Sequence, residues 1–175
     1  MVRSAHVWAA LLFASPLAAP AVASQAKLAA FMPADDAVKG FKAIKGTDQY
    51  CATANDLHLI YDGGDGEYKK AGVTEALQRS YKAGKVIATV TIHKMGGDWK
   101  KAKAFYTKKH KGIAGKPGFV RLAVKNAGAY GPAPGNTLVG YSWTKYYFVS
   151  YTITDQASKS AAEAFVKVIT QKIAK

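Results

Sequence analysis

The segment Val73-Thr-Glu-Ala-Leu-Gln-Arg-Ser-Tyr-Lys-Ala-Gly84-Lys-Val-Ile-Ala-Thr-Val-Thr-Ile-His-Lys-Met95 decides the fold of this chain. Residues 74–82 and 85–93 each alternate in polarity, and Gly84 lies in the connection between them. An alternation with a period of two on both sides of a glycine-containing turn is typical of a β-hairpin. The segment therefore predicts two antiparallel strands, around which the rest of the chain is organised.

The residues that follow this hairpin predict an amphipathic helix over 99–111. Asp98 is a typical N-cap, and Gly112 is a typical helix stop. At 100° per residue one side of this helix is apolar and the other carries lysines. The apolar stripe is expected to contain Trp99, Ala102, Phe105 and Tyr106.

A second hairpin is predicted near the end of the chain. Residues 137–143 and 146–153 are rich in aromatic and β-branched side chains and flank Thr144-Lys145. Residues 126–136 contain three glycines and two prolines and predict a loop. Because short connections join antiparallel strands, we predict an α+β fold. Its mainly antiparallel sheet is built from two hairpins plus flanking strands and is covered by helices, as in an α/β/α sandwich.

The N-terminus predicts export. Arg3, the apolar residues 7–17 and Ala21-Val22-Ala23 form the charged, apolar and cleavage regions of a secretory signal peptide. The apolar run is too short to span a bilayer, and no later segment is long and apolar enough. We expect residues 1–23 to be the signal peptide, residues 24–34 a flexible mature N-terminus, and residues 35–175 a single α+β domain. The protein is then periplasmic or extracellular, without a transmembrane anchor.

The charge of the chain favours an anionic partner. Lysine and arginine number 25 against 11 acidic residues, for a net charge of +14. Loss of the signal peptide removes Arg3 alone and leaves +13. Such an excess attracts anionic surfaces, segments or polymers. The single cysteine, Cys51, has no partner within the chain, and we expect it to be a buried thiol.

The glycine-rich segment Asp62-Gly63-Gly64-Asp65-Gly66-Glu67 resembles a calcium loop poorly. Glycines stand where ligands belong, and no acid closes the loop. The histidines are not spaced as a metal pair, so we predict no metal and no cofactor. Glycines within a helical frame indicate close approach of a neighbouring group. We therefore interpret the segment as a structural motif consisting of Asp62, Gly63, Gly64, Glu67 and Tyr68.

In order and spacing, five features of the chain resemble an uncharacterised family of bacterial secreted domains: Phe31-Met32-Pro33, Gly40-Phe41, Tyr61 to Tyr68, the first hairpin, and Met95-Gly-Gly-Asp-Trp-Lys-Lys-Ala102. The central segment of that family reads approximately Tyr-x-Asn-Gly-Gly-Ala-Glu-x-Tyr. This chain departs from it at Asp62, which replaces the asparagine, at the extra Gly66, and at Gly97-Asp98, which replaces Ser-Pro. The resemblance implies secretion but no activity. The layout is also similar to the α/β/α sandwich of the photosystem oxygen-evolving extrinsic protein and of a nuclear-import cofactor, both binding proteins.

These features favour an exported, non-catalytic binding or assembly module that docks an acidic protein or envelope complex. The predicted contact residues, on the basic helix and the aromatic hairpin, are Lys100, Lys101, Lys108, Lys111, Tyr146 and Tyr147. We do not expect nucleic acid as the partner, because any surface helix has a charged outer face. Peripheral contact with a membrane stays open. The alternative is a metal-dependent hydrolase that uses Asp62, Asp65, Glu67 and a nearby histidine, His58 or His93, which must then converge in one pocket.

Overall fold

The computed structural model describes residues 18–175 except Lys125. Most of the predicted signal peptide, residues 1–23, therefore lies outside the described residues, and residues 18–23 belong to the first helix. Within the described part of the chain, no helix combines the length and the apolar character that crossing a membrane requires.

The described residues form eight strands. They are β1 (Lys42–Ala43), β2 (Gln49–Cys51), β3 (Glu75–Ala83), β4 (Val86–Lys94), β5 (Val120–Leu122), β6 (Ala127–Ala133), β7 (Thr137–Thr144) and β8 (Tyr147–Ile153). All strands belong to one sheet in the order β1-β3-β4-β8-β7-β6-β5, and β2 pairs with β3 beside β1. Every pairing is antiparallel.

Helices cover both faces of this sheet. They are α1 (Ala18–Phe31), α2 (Asp65–Ala71), α3 (Trp99–Lys111) and α4 (Lys159–Ala174), with a 3₁₀ helix at Ala54–Leu59. Helices α1 and α4 contact each other and share one core with the sheet, whereas α2, α3 and the 3₁₀ helix share a second core with it. The predicted α+β class and its α/β/α layering are confirmed.

The two cores exist because successive strand residues point to opposite faces of a sheet. In β8, Phe148 belongs to the core under α3, whereas Tyr147, Val149 and Tyr151 belong to the core under α1 and α4. Burial of each such side chain contributes roughly 1.5–3 kcal/mol of the free energy of folding.

Both predicted hairpins are present. In the first, β3 and β4 pair from Glu75 opposite Lys94 to Ala83 opposite Val86, and Gly84 takes a φ of 59° in the turn. In the second, β7 and β8 pair from Leu138 opposite Ile153 to the turn, where Lys145 has a φ of 53°. The first hairpin joins the second through β4 and β8, so the two hairpins together form the middle of the sheet.

The prediction of a loop over residues 126–136 is wrong, because most of these residues form strand β6 between β5 and β7. Its glycines permit close packing: a Cβ added at Gly128 would lie 3.0 Å from side-chain atoms of Val124 and of Val166 on α4. Pro132 pairs with Leu138 of β7 on one side. On its other side it has no partner in β5, because only residues 128–130 of β6 pair with β5. A proline is tolerated there because no β5 residue lies opposite it to accept a hydrogen bond.

The flexible segment predicted over residues 24–34 differs from what the structure shows, because it is helical as far as Phe31. Although the segment is rich in alanine, one face of the helix is packed against the rest of the protein. Leu28 and Met32 are 1% and 2% exposed and belong to the core that α1 shares with α4. The hydroxyl of Tyr81 donates a 3.1 Å hydrogen bond to the carbonyl oxygen of Pro33, which fixes the end of the segment.

Candidate functional site

The glycine-rich segment links two short helices. Thr53 caps the 3₁₀ helix and forms a capping box with Asp56. Gly63, with a φ of 71°, turns the chain towards α2, and Gly72, with a φ of 87°, is the C-cap that ends α2. This placement brings α2 beside α3 on the same face of the sheet.

The close approach predicted at these glycines is not found. A Cβ added at Gly63 or Gly66 would have no heavy atom within 4 Å, and at Gly64 the nearest atom is the Cβ of Tyr61 at 4.0 Å. Gly63 alone of these three has a positive φ, which glycine adopts without steric cost. The other two leave room at the surface rather than fit against a neighbour.

Helix α3 begins as predicted, since the Asp98 carboxylate accepts a 2.8 Å hydrogen bond from the backbone N–H of Lys100. The side chains of Ala102, Phe105 and Tyr106 are buried. Trp99 departs from the predicted stripe, because half of it (50%) is exposed. Trp99 is the first residue of α3, shortly after the chain leaves the end of β4.

Helices α2 and α3 enclose a groove of about 780 Å³, which we call the α2–α3 groove. Its charged groups belong to Lys70, Lys101, Lys108 and Glu67. The remaining lining is formed by Gly63, Gly64, Gly66, Ala71, Ala104 and Phe105. Lys101 and Lys108 are seven residues apart, which on a helix separates them by roughly 10 Å along one face.

The four lysines of α3 that were predicted to contact a partner together do not all lie on one surface. Lys101 and Lys108 line the α2–α3 groove, whereas Lys100 and Lys111 are exposed on α3 outside its lining. The stem of Lys101 lies over the end of α2, 3.1 Å from the position of a Cβ added at Gly72. The positive charge of a lysine at this position also interacts favourably with the negative C-terminal end of the α2 dipole.

The carboxylate of the groove is already neutralised. Glu67 forms an ion pair of 3.1 Å with Lys108 and a closer one with Lys109. The hydrogen bond from Lys109, followed by the one from Lys108, lowers the pKa of Glu67. Among the described residues, Lys70 and Lys101 form no ion pair, so the groove keeps a net positive charge.

Lys109 lies at the base of this arrangement and was missed by the sequence prediction. Its ammonium nitrogen is 4.9 Å from the centre of the Tyr68 ring and 5.5 Å from that of Phe105. Burial by itself would lower the pKa of Lys109. The hydrogen bond to Glu67, together with the charge of Glu67 and the nearby Tyr68 and Tyr141, raises the pKa overall. The sequence does contain a feature that could have identified Lys109: it lies seven residues after Ala102 and therefore on the apolar face of α3.

A stack of three rings lies under α2. The Tyr68 ring is parallel to that of Tyr61, with centres 3.9 Å apart, and to that of His93, with centres 5.1 Å apart. The Tyr61 hydroxyl forms a hydrogen bond with Nε2 of His93, and Nδ1 of His93 lies 3.1 Å from the carbonyl oxygen of Phe148. Because a carbonyl can only accept, Nδ1 carries the proton and Nε2 accepts from Tyr61.

His93 is fully buried and neutral. Burial lowers its pKa from 6.5 to about 3, and the hydrogen bond to Phe148 opposes this only in part. Both ring nitrogens are engaged inside the protein, so the imidazole is not offered to a ligand. His93 therefore has a structural role in fixing the ring stack against β4.

The acids and histidines of the hydrolase alternative do not converge. Asp62 is exposed, and Asp65 forms a 2.6 Å ion pair with Lys69. His58 lies at the surface with Nδ1 2.8 Å from the carbonyl oxygen of Asn55. Over residues 18–175 other than Lys125, no group of three His, Cys, Asp or Glu side chains is placed to hold a metal. The geometry gives this alternative no support.

The second hairpin presents different aromatics from those predicted. Tyr147 is 1% exposed and contacts Phe31 edge to face at 5.2 Å, so its predicted role in partner contact is wrong. Strand alternation turns Tyr147 into the core under α1, while Tyr146 is half-buried. The exposed ring near this hairpin is Trp99, whose centre lies 6.3 Å from that of Trp143.

Cys51 is buried, as predicted. It is 0% exposed, its Sγ lies 3.1 Å from the carbonyl oxygen of Asp56, and burial raises the pKa of the thiol to about 11. A thiol with such a pKa stays protonated at neutral pH and is a poor nucleophile.

Comparison with known proteins yields one distant structural likeness. No protein family and no curated protein matches this chain. Its structure is similar to that of the extracellular domain of PknH from Mycobacterium tuberculosis, with a TM-score of 0.48 and 13% sequence identity. The match covers 82% of this chain and 95% of that domain.

Proposed function

We propose that this protein is an exported, non-catalytic binding module that docks an acidic segment of a partner protein or envelope complex in the α2–α3 groove. The observation that carries the proposal is the convergence of Lys70, Lys101 and Lys108 on one groove with an apolar floor. The single carboxylate in its lining, Glu67, is already paired with lysines.

The dimensions of the groove suit a peptide rather than a compact anion. Lys101 and Lys108 are roughly 10 Å apart along α3, and an extended chain of the polyproline II type advances about 3.1 Å per residue with about three residues per turn. Two acidic residues three positions apart therefore lie on one side of such a peptide, about 9 Å apart, and can reach both lysines. An apolar residue between them can lie on Ala104 and Phe105, which form the apolar floor.

Two further observations support the proposal. The net charge of +14 raises the rate at which an acidic partner meets this surface. The polar groups beneath the groove, including both nitrogens of His93, are engaged with each other, which favours binding over catalysis.

Export is the second part of the proposal. It rests on Arg3, the apolar residues 7–17 and the Ala21-Val22-Ala23 cleavage pattern, together with the resemblance to secreted bacterial domains. A partner in the cell envelope follows from that location.

The test uses a fluorescent peptide of about ten residues, with glutamates three positions apart separated by alanine and leucine. We expect it to bind more tightly than the same peptide with lysines in place of glutamates. The triple variant K70Q/K101Q/K108Q should weaken binding about tenfold, since three exposed ion pairs each contribute a fraction of a kcal/mol.

The matched control is K45Q/K82Q/K85Q, which removes the same charge from exposed lysines on other parts of the chain. If the proposal is correct, this variant binds the acidic peptide within about twofold of the wild type. Equal losses in the two triple variants would show that overall charge, and not the groove, attracts the peptide.

A further inference from the structure

One end of the sheet carries an exposed aromatic surface that the α2–α3 groove does not include. Strands β4 and β7 end here, and β6 and β8 begin here. Trp99 and Trp143, which we call the tryptophan pair, have ring centres 6.3 Å apart and planes inclined by 20°. Together with Tyr146 they border a hollow of about 490 Å³.

One member of the tryptophan pair, Trp99, is exposed to solvent. A tryptophan offers one of the largest apolar surfaces of any side chain, and Trp99 leaves half of its surface (50%) in water. Trp143 is partly buried and belongs to the margin of the core under α3. Trp99 thus extends an apolar surface outward from the end of the sheet.

Lysines surround this surface. Lys100 follows Trp99 at the start of α3, and Lys145 is exposed at the tip of the β7–β8 turn with a φ of 53°. Lys27 of α1 is exposed. The hydrogen bond from Tyr147 and, after it, the charge of Lys27 contribute to lowering the pKa of Tyr146.

The acids nearby are engaged within the protein. The Asp98 carboxylate caps α3 through the backbone N–H of Lys100. Glu75 forms an ion pair with Lys94. Partial burial alone would raise the pKa of Glu75, but Lys94 together with the hydroxyls of Ser24 and Tyr50 lowers it. The lysines at this end therefore give the surface around the tryptophan pair a net positive charge.

We propose that this end of the protein docks on the surface of an anionic lipid bilayer. Indole and phenol rings favour the headgroup level of a bilayer, where their apolar bodies leave water and their polar atoms stay wet. Lysines beside them are attracted to anionic headgroups, each strengthening binding about fivefold. The contact is peripheral, because it involves the end of a sheet and a hairpin turn rather than a spanning helix.

The size of the surface favours a membrane over a protein partner. A stable protein interface buries about 1,000 Å² or more, which two indoles and one phenol do not supply. A bilayer adds to a small aromatic contact the attraction of many anionic headgroups to Lys27, Lys100 and Lys145. This inference is independent of the proposed peptide groove, because different residues carry it.

The test is sedimentation with vesicles, combined with the tryptophan emission spectrum. One set contains phosphatidylcholine with about 30% phosphatidylglycerol, and the other contains phosphatidylcholine alone. We expect binding and a blue shift of the emission with the anionic vesicles, and much weaker binding with the neutral ones. Trp99→Ala should weaken vesicle binding about tenfold, and K100Q/K145Q about 25-fold.

Matched controls lie at the opposite end of the β3–β4 hairpin. Ile87 is also exposed (38%), and Lys82 and Lys85 are exposed, so Ile87→Ala and K82Q/K85Q make equivalent changes. Both controls should bind anionic vesicles within about twofold of the wild type. All variants carry the same N-terminus, so the comparison does not depend on processing of the signal segment.

Three results would overturn the proposal. The first is a failure of the wild type to sediment with anionic vesicles. The second is an equal loss of binding in the control variants. The third is a blue shift caused by soluble oligosaccharides but not by vesicles, which would assign the tryptophan pair to glycans. We expect K70Q/K101Q/K108Q to bind the acidic peptide more weakly but to bind the vesicles as Trp99 and the lysines beside it dictate, which would show that the two sites are separate.

Discussion

The ammonium nitrogen of Lys109 lies 4.9 Å from the centre of the Tyr68 ring while it pairs with the carboxylate of Glu67. Lys109 belongs to α3, whereas Tyr68 and Glu67 belong to α2. This single side chain therefore joins the two helices that enclose the α2–α3 groove. Its charge is satisfied by an acid above it and an aromatic face beside it.

Replacement of Lys109 by methionine should destabilise the protein. The change keeps most of the side-chain volume but leaves Glu67 without its closest partner and removes the cation from the Tyr68 ring. We expect a loss of about 2 kcal/mol in the free energy of unfolding, measured by urea titration. Lys108→Met is the control, because Lys108 is 67% exposed and should change stability by no more than about 0.5 kcal/mol. Similar losses in both variants would contradict the central role of Lys109.

The buried imidazole of His93 predicts a loss of stability in mild acid. Its pKa in the folded state is lowered by burial to about 3, whereas an unfolded histidine titrates near 6.5. Between these two values the unfolded chain binds the proton that the folded protein does not. Stability therefore falls as the pH is lowered through this window, by up to about 1.4 kcal/mol per pH unit.

A variant at this position distinguishes the contribution of His93 to the pH dependence of stability from that of other titrating groups. From about pH 7 to pH 5, above the carboxylate range, His93 should account for a loss of about 2 kcal/mol. His93→Gln removes this titration while retaining a donor and an acceptor for its neighbours. Urea titrations at both values should show the wild type losing about 2 kcal/mol more than the variant. An identical pH dependence would mean that His93 binds its proton in the folded protein as readily as in the unfolded chain, so that its pKa is not lowered.

Gly140 is the glycine at which an added methyl group should lower the stability of the protein most. A Cβ at this position would overlap the phenol ring of Tyr151, which is 1% exposed and packed within the core under α1 and α4. Gly140→Ala should therefore cost about 3 kcal/mol or more and lower the melting temperature strongly. Gly66→Ala is the control, because a Cβ there meets no atom within 4 Å. As Gly66 lies in α2, alanine should raise stability by roughly 0.5–1 kcal/mol.

The sequence predicts those elements whose signal is local. The β3–β4 hairpin and α3 follow from periods of two and of 3.6 residues, bounded by Gly84 and Asp98. These elements are present with their expected caps and turns. Their signal is strong because one buried face dictates the pattern within each element.

What could not be predicted depends on contacts between distant segments. Strand β6 has the composition of a loop, and one of its glycines, Gly128, is explained by close packing against α4, which contributes Val166 38 positions later. Likewise, Lys109 contacts residues of α2, and His93 contacts Tyr61 and Phe148. Of the predicted contact residues, Lys101 and Lys108 line the groove, because their seven-residue spacing keeps both on one face of α3.

The N-terminal helix gives a prediction about processing. Val22 is 63% exposed and Ala23 is also exposed, whereas Leu28 is buried in the core under α4. Cleavage after Ala23 should therefore leave the core complete, and N-terminal sequencing of the secreted protein should begin at or near Ser24.

Truncation tests this boundary thermodynamically. A chain that begins at Ser24 should unfold at the same urea concentration as one that begins at Ala18. A chain that begins at Ala34 lacks Leu28 and Met32, each nearly fully buried, and should lose about 4 kcal/mol of stability. Leu28→Ala in the longer chain should reproduce at least about 2 kcal/mol of that loss, whereas Gln25→Ala, on the exposed side of α1, should not. If the chain beginning at Ala34 were as stable as that beginning at Ser24, α1 would not be part of the folded core.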